Sequence, residues 1–287
     1  MYSINRGLRY NNFFIDKVRL CFHPVLCWEK KTVTYIYTGM NETRLLKRGW
    51  LNSGISLPVI GVIAGLLFAG ARAVGTIGPQ AYRFILPLGF IVMMMIPFIF
   101  LGKEGRRKIG FAKSVSPAWY GYAICVATIM ALVCYASGLL LFGLSADNWF
   151  VSIKNSYYNT MNTSGMPLAM LFMIFTIPAI LFSPAGEEIF FRGFLQEALS
   201  QKFSYGKAMI TDSMFFALIH LFHHGLVKDA AGIIHFYALS GFLWVLLMFS
   251  TAMVFAWLKK KSGSLYLAIA AHAVFNLMMN VTIFYGM

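Results

Sequence analysis

PLAMLFMIFTIPAILFSPAGEEIFFRGFLQEAL, residues 167–199, is the stretch on which the fold turns. It carries no charge from Pro167 to Gly186, then meets Glu187 and Glu188, with Arg192 one helical turn further on. An apolar run of this kind is long enough to cross a bilayer, which takes roughly 20 residues. Charge at bilayer depth is costly and marks function more often than scaffold. The chain has only 10 acidic residues, and those outside the doublet are assigned to tails, loops or helix ends.

The rest of the chain fits the same solvent. It is 59% hydrophobic and 12% charged, against roughly 25% charged for a soluble domain. Apolar spans read at about Ile55–Val74, Phe84–Leu101, Ala118–Leu144, Pro167–Leu199, Ala208–His224, His235–Leu258 and Ser264–Tyr285. The expected fold is all-α, a polytopic transmembrane bundle of about seven spanning helices. The fourth span is too long for one upright crossing, so it tilts or ends in an amphipathic extension. The expected organisation is a basic N-terminal tail over 1–50, N-terminal transmembrane helices over 51–160 and a catalytic core over 161–287. Met40 opens MNETRLLKRGWLNSG, which reads equally well as a natural bacterial start.

The net charge of +14 sits between the spans and does not point to nucleic acid. Arg44, Lys47 and Arg48 precede the first span. Lys103, Arg106, Arg107, Lys108 and Lys113 fill the second connection, Lys202 and Lys207 the fourth, and Lys259, Lys260 and Lys261 the sixth. The alternate connections are poor, with Arg72 and Arg83 bordering the first, Lys154 in the third and Lys228 in the fifth. The positive-inside rule then predicts a multi-pass protein of the cell membrane, N-terminus cytoplasmic and C-terminus outside. Cys21, Cys27, Cys125 and Cys134 show neither a disulfide framework nor metal spacing. The first residues lack the clean apolar run of a cleavable signal peptide.

Depth groups the polar residues. At about 1.5 Å per residue, Glu187, His220 and Asn276 each lie roughly 18 Å from the lysine-rich ends of their spans, and His272 about 12 Å. Such a layer predicts a water-filled chamber, opening toward the cytoplasm. Glu188 and Arg192 are spaced to pair along one helix face. Glu187 is turned about 100° from them and is expected to face the chamber as a general base. His272 and Asn276 share a face and are expected to donate toward one point. Pro178 and Pro184 each remove a helical hydrogen bond and free a carbonyl nearby. His223, His224 and His235 are expected at the interface, as are Glu197 and the tryptophans Trp50, Trp119 and Trp257.

These residues also carry a family pattern. Glu187 to Arg192 resembles the EExxxR motif of the CAAX protease and bacteriocin-processing (Abi) family of intramembrane proteases, which includes the CAAX prenyl protease 2-like members. Phe216 to His220 resembles its FxxxH motif, and His272 to Asn276 its HxxxN motif. The three occur in order, on separate apolar spans, between Pro167 and Tyr285. The resemblance implies peptide-bond hydrolysis within the membrane, with Glu187 activating water beside His220, and His272 and Asn276 stabilising the oxyanion. Glu188, Arg192 and Phe216 then support the site. No HExxH pair is present. Metal-free glutamate catalysis is the preferred expectation; a divalent metal such as Zn2+ would take Glu187, His220 and His272. The implied partners are the lipid bilayer and a membrane-embedded or membrane-anchored peptide or protein. For a bacterial chain this means a bacteriocin-like peptide, a signal-peptide remnant or another membrane protein. The rival readings are a bacteriocin self-immunity protein of the same family and an ion- or proton-coupled transporter. The transporter reading expects inverted repeats, and the sequence shows no convincing internal symmetry.

Overall fold

The computed structural model describes residues 45–114, 116–161 and 163–287. The reading of Met40 as a start, and nearly all of the tail, lie outside these residues. The described chain is helical. Its main elements are α1 (Leu57–Ile77), α2 (Ile85–Phe100), α3 (Ala118–Phe142) and α4 (Trp149–Tyr158). They continue with α5 (Leu168–Leu199), α6 (Tyr205–Ile219), α7 (Ala238–Ser262) and α8 (Leu265–Tyr285). A two-stranded antiparallel hairpin, β1 (Leu226–Lys228) with β2 (Ile234–Phe236), joins α6 to α7, with Val227 opposite His235.

Among the described residues, six helices are long and apolar enough to cross a membrane: α1, α2 with its preceding turn, α3, α5, α7 and α8. This is a multi-pass all-α membrane bundle. The remaining expected span becomes α6, a helix of 15 residues. Thr211, Asp212 and Ser213 interrupt its apolar run. Its far end tightens into a 3-10 turn, His220–Phe222, before the hairpin.

Ends follow local chemistry. Pro58 opens α1, where its missing N–H costs nothing. Asn148 caps α4 by accepting from the Phe150 N–H at 2.9 Å. Lys259, Lys260 and Lys261 occupy the last turn of α7 and complement its dipole, and Gly263 closes it at φ 68°.

Lipid tails are as apolar as leucine, so helices in a membrane associate through close packing. The buried face of α3 is Ala123, Ala127, Ala131, Cys134 and Gly138, a stripe of small side chains. It lets α8 approach, and α8 also packs along α5. Outward positions such as Leu67, Ile129 and Leu140 are exposed apolar groups, as lipid contact requires. Gly186 allows the closest approach near the acids: a Cβ there would lie 2.7 Å from the Phe90 carbonyl oxygen of α2.

α5 is one long element, but not uniformly α. From Ile189 to Leu195 it widens into a π segment, every residue of which is buried. π segments recur at functional sites because they re-aim side chains within a helix. Here the segment begins directly after Glu188 and contains Arg192. The buried Lys259 of α7 donates from its Nζ to the Arg192 carbonyl.

Candidate active site

The two glutamates divide their oxygens among different partners. Glu188 Oε1 lies 2.9 Å from His272 Nδ1, and Oε2 lies 3.2 Å from Arg192 Nε. Both members of the Glu188–Arg192 pair are wholly buried. Glu187 Oε1 is 3.2 Å from Arg72 Nη1. Its Oε2 has no hydrogen-bond donor within the described protein and stands 3.8 Å from His272 Nε2. Glu187 Oε2 is thus one of four buried carboxylate oxygens without a hydrogen-bond donor among the described residues; Glu188 Oε2 and both Asp212 oxygens are the others, and they face Arg192.

The histidine tautomers follow from what their partners can do. A carbonyl oxygen only accepts, and Phe216 O is 2.6 Å from His220 Nδ1. The proton therefore sits on Nδ1, and His220 Nε2 keeps its lone pair. The Trp244 indole donates to the His220 carbonyl at 3.1 Å and holds the turn. Phe216 lies against the His220 ring at 4.3 Å and beneath the Arg192 guanidinium at 4.2 Å. It thus anchors a base and a cation together. His272 stacks on Phe255 at 5.1 Å.

Asn276 departs from the expectation that it donates to the same point as His272. Its Nδ2 donates to Ala179 O at 2.9 Å, while His272 turns to Glu188. The two share a helix face, but each meets a different acceptor along α5. Ala179 adjoins Ile180, whose usual helical donor is replaced by Pro184. An amide nitrogen carries two hydrogens, so Asn276 keeps a second donor.

A cavity of 660 Å³ meets this layer and is lined by Arg72, Phe216, His220, His223, His272 and Asn276, among others. Glu187 does not line it, contrary to expectation. The carboxylate sits immediately behind the wall, in contact with two of its members, Arg72 and His272. The cavity also does not reach the lysine-rich connections. Beyond the catalytic layer its walls come from the ends of α1 and α4, the start of α2 and strand β1. The expected opening toward the lysine-rich side is thus reversed, because those helix ends are filled by Phe190, Phe191, Phe194 and Leu195.

Residues 169–278 match the family of Rce1-like type II CAAX prenyl endopeptidases. The match covers the C-terminal helices and less than half of the chain. Neither a curated protein nor a solved structure matches the chain. The matched stretch spans α5 to most of α8 and includes Glu187, Glu188, Arg192, Phe216, His220, His272 and Asn276. A helix outside it supplies Arg72.

Arg72 is the main omission of the sequence reading, which set it at the border of a connection. α1 continues to Ile77, so Arg72 lies within the helix, 8% exposed, and turns inward. Its guanidinium joins Glu187 to His223 through a further contact with His223 Nε2. A single arginine inside an apolar run was the available signal. Asp212 is the second omission. It is wholly buried in the middle of α6, with Oδ2 3.9 Å from Arg192 Nε, and not in a tail, loop or helix end.

The other residues expected at the interface have defined partners. His224 is fully buried and held by Ser152 Oγ and Ser240 Oγ, each at 2.8 Å. His223 faces the cavity beside Arg72. Glu197 is 3% exposed and pairs with Lys108 of the lysine-rich second connection at 2.6 Å. His235, on the hairpin, contacts Asp229 at 2.8 Å; that hydrogen bond and the Ile233 N–H hold the Asp229 carboxyl below the usual carboxylate range.

Glu187, His220 and His272 do not converge as a ligand set. Among the described residues no three or more His, Cys, Asp or Glu side chains are grouped to hold a metal ion. Glu187 gives one oxygen to Arg72, and His220 and His272 each commit Nδ1 elsewhere.

Proposed function

We propose that the chain is an intramembrane endopeptidase that hydrolyses a peptide bond in a membrane-associated polypeptide, with Glu187 as general base. The observation that carries this reading is Glu187 Oε2, a buried oxygen without a protein donor, 3.8 Å from His272 Nε2. A buried acceptor without a partner costs about 1–3 kcal/mol. A reacting water supplies the missing donor. Arg72 keeps Oε1 occupied, so the water meets Oε2.

The remaining residues take complementary parts. His220 Nε2 accepts from the same water and later carries its proton toward the leaving amine. The second N–H of Asn276 donates to the carbonyl oxygen as it becomes an oxyanion, and His272, whose Nδ1 proton is held by Glu188, joins it from Nε2 in its doubly protonated form. A donor placed there is worth about 10²–10³ in rate. Glu188 fixes the His272 ring, and Arg192 balances Glu188. Metal-free catalysis accounts for these contacts. The family match supports the reaction class, since the matched family is named for CAAX prenyl endopeptidases. The transporter reading has less support, because both acids of the layer are already engaged by arginines.

The test is a panel of membrane-anchored peptides incubated with the purified chain in lipid, with products identified by mass. Parallel arms add a chelator and determine bound metal. Cleavage that survives chelation and falls in His220→Ala supports the reading. Cleavage abolished by chelation and restored by a divalent metal replaces it with metal-assisted hydrolysis. No cleavage of any anchored peptide by a folded chain rejects it.

A further inference from the structure

The cavity and the basic residues lie at opposite ends of the bundle. Lys103, Arg106, Arg107, Lys108 and Lys113 follow α2, Lys202 follows α5, and Lys259–Lys261 end α7. No described residue of 101–117, 200–204 or 259–264 lines the cavity. Its rim is made instead by the α1–α2 connection, the segment after α4 and strand β1. The few cations on that face are tied to carbonyls. Arg83 donates to Asn159 O at 2.5 Å, Lys228 to Gly78 O at 3.1 Å and Lys154 to Met287 O at 2.8 Å. Two of these bonds brace the rim itself, joining the α1–α2 connection to β1 and to the residue that follows α4.

Short connections rich in lysine and arginine stay on the cytoplasmic side. We propose that the cavity opens on the non-cytoplasmic side of the membrane. Its substrate is the exported juxtamembrane stretch of a membrane-anchored polypeptide, reached after that stretch has crossed the bilayer. The side of access follows from the cavity and the charge distribution together. That the occupant is a substrate to be cut rests on the peptidase reading. From the rim, the segment descends between α1, α2 and α5 toward His220 and His272. The lysine-rich end below is closed by the aromatic residues of the π segment.

Single cysteines test the orientation in a chain whose four native cysteines are replaced. Thr160→Cys and Ser156→Cys lie at exposed positions on the rim, and Lys202→Cys and Lys261→Cys at exposed positions on the other face. Sealed right-side-out and inverted membrane vesicles are treated with a membrane-impermeant maleimide. The rim cysteines are expected to label in right-side-out vesicles, with loss of labelling in inverted ones, and the lysine-face cysteines in the opposite sense. The reverse pattern overturns the proposal. Two sites per face keep the result readable if one variant fails to fold. Labelling needs no hydrolysis, so a wrong orientation and a wrong reaction are distinguished.

Discussion

His272 Nδ1 lies 2.9 Å from Glu188 Oε1, so the second glutamate fixes which nitrogen of the ring faces the first. The doublet is therefore a divided device. Glu188 holds the imidazole, and the imidazole presents Nε2 to Glu187 Oε2 at 3.8 Å. Glu188→Gln keeps the shape but removes the charge shared by His272 and Arg192. Peptide cleavage is expected to fall on the order of 10²-fold or more, the scale of a mis-set acid–base partner. The check is kcat on an anchored peptide, with size-exclusion showing a folded variant.

Arg192 is wholly buried between Glu188 and Asp212, above the Phe216 ring. Removing one partner of a buried charge group leaves the others uncompensated, at about 3–5 kcal/mol. Arg192→Met is expected to lower the thermal unfolding midpoint in detergent sharply. Asp212→Asn, which keeps the shape and leaves the Glu188 pair intact, is expected to lower it less. Equal midpoints for the wild type and Arg192→Met contradict this account.

Arg72 couples α1 to the catalytic layer through Glu187 and His223. Arg72→Gln leaves Oε1 of Glu187 without its cation. Cleavage is expected to fall by about tenfold or more through loss of orientation, the scale of general-base placement. KM is expected to change less than kcat. A rate unchanged in Arg72→Gln would show that α1 takes no part in the site.

Gly186→Ala places a Cβ 2.7 Å from the Phe90 carbonyl oxygen. α2 must move away from α5 beside the glutamates. Overpacking of this kind costs about 1–3 kcal/mol. Both the unfolding midpoint and the cleavage rate are expected to drop, measured by thermal unfolding and peptide turnover on one preparation.

Much of this is legible in the sequence. Long apolar runs give the membrane helices, because a bilayer leaves the backbone few alternatives. The i and i+4 spacing gave the Glu188–Arg192 pair. The sequence said less where a side chain chooses between partners on other helices. Arg72 looked like a loop-edge cation and instead turns inward. Asn276 looked like a partner of His272 and instead bonds Ala179. His224 is enclosed by serines from two other elements, which its place after an apolar run does not show. The π segment gives no periodic signal of its own, so the closure of the lysine-rich end by its aromatics was not readable, and the cavity was expected on the wrong side.

The central claim is that Glu187 activates the attacking water. The most direct measurement is the single-turnover cleavage rate of an anchored peptide by wild type and Glu187→Gln, both reconstituted in lipid and shown to be folded. The account predicts a fall of about 10²–10⁴-fold in Glu187→Gln, the contribution of a positioned general base. A Glu187→Gln variant that cleaves at the wild-type rate would contradict it.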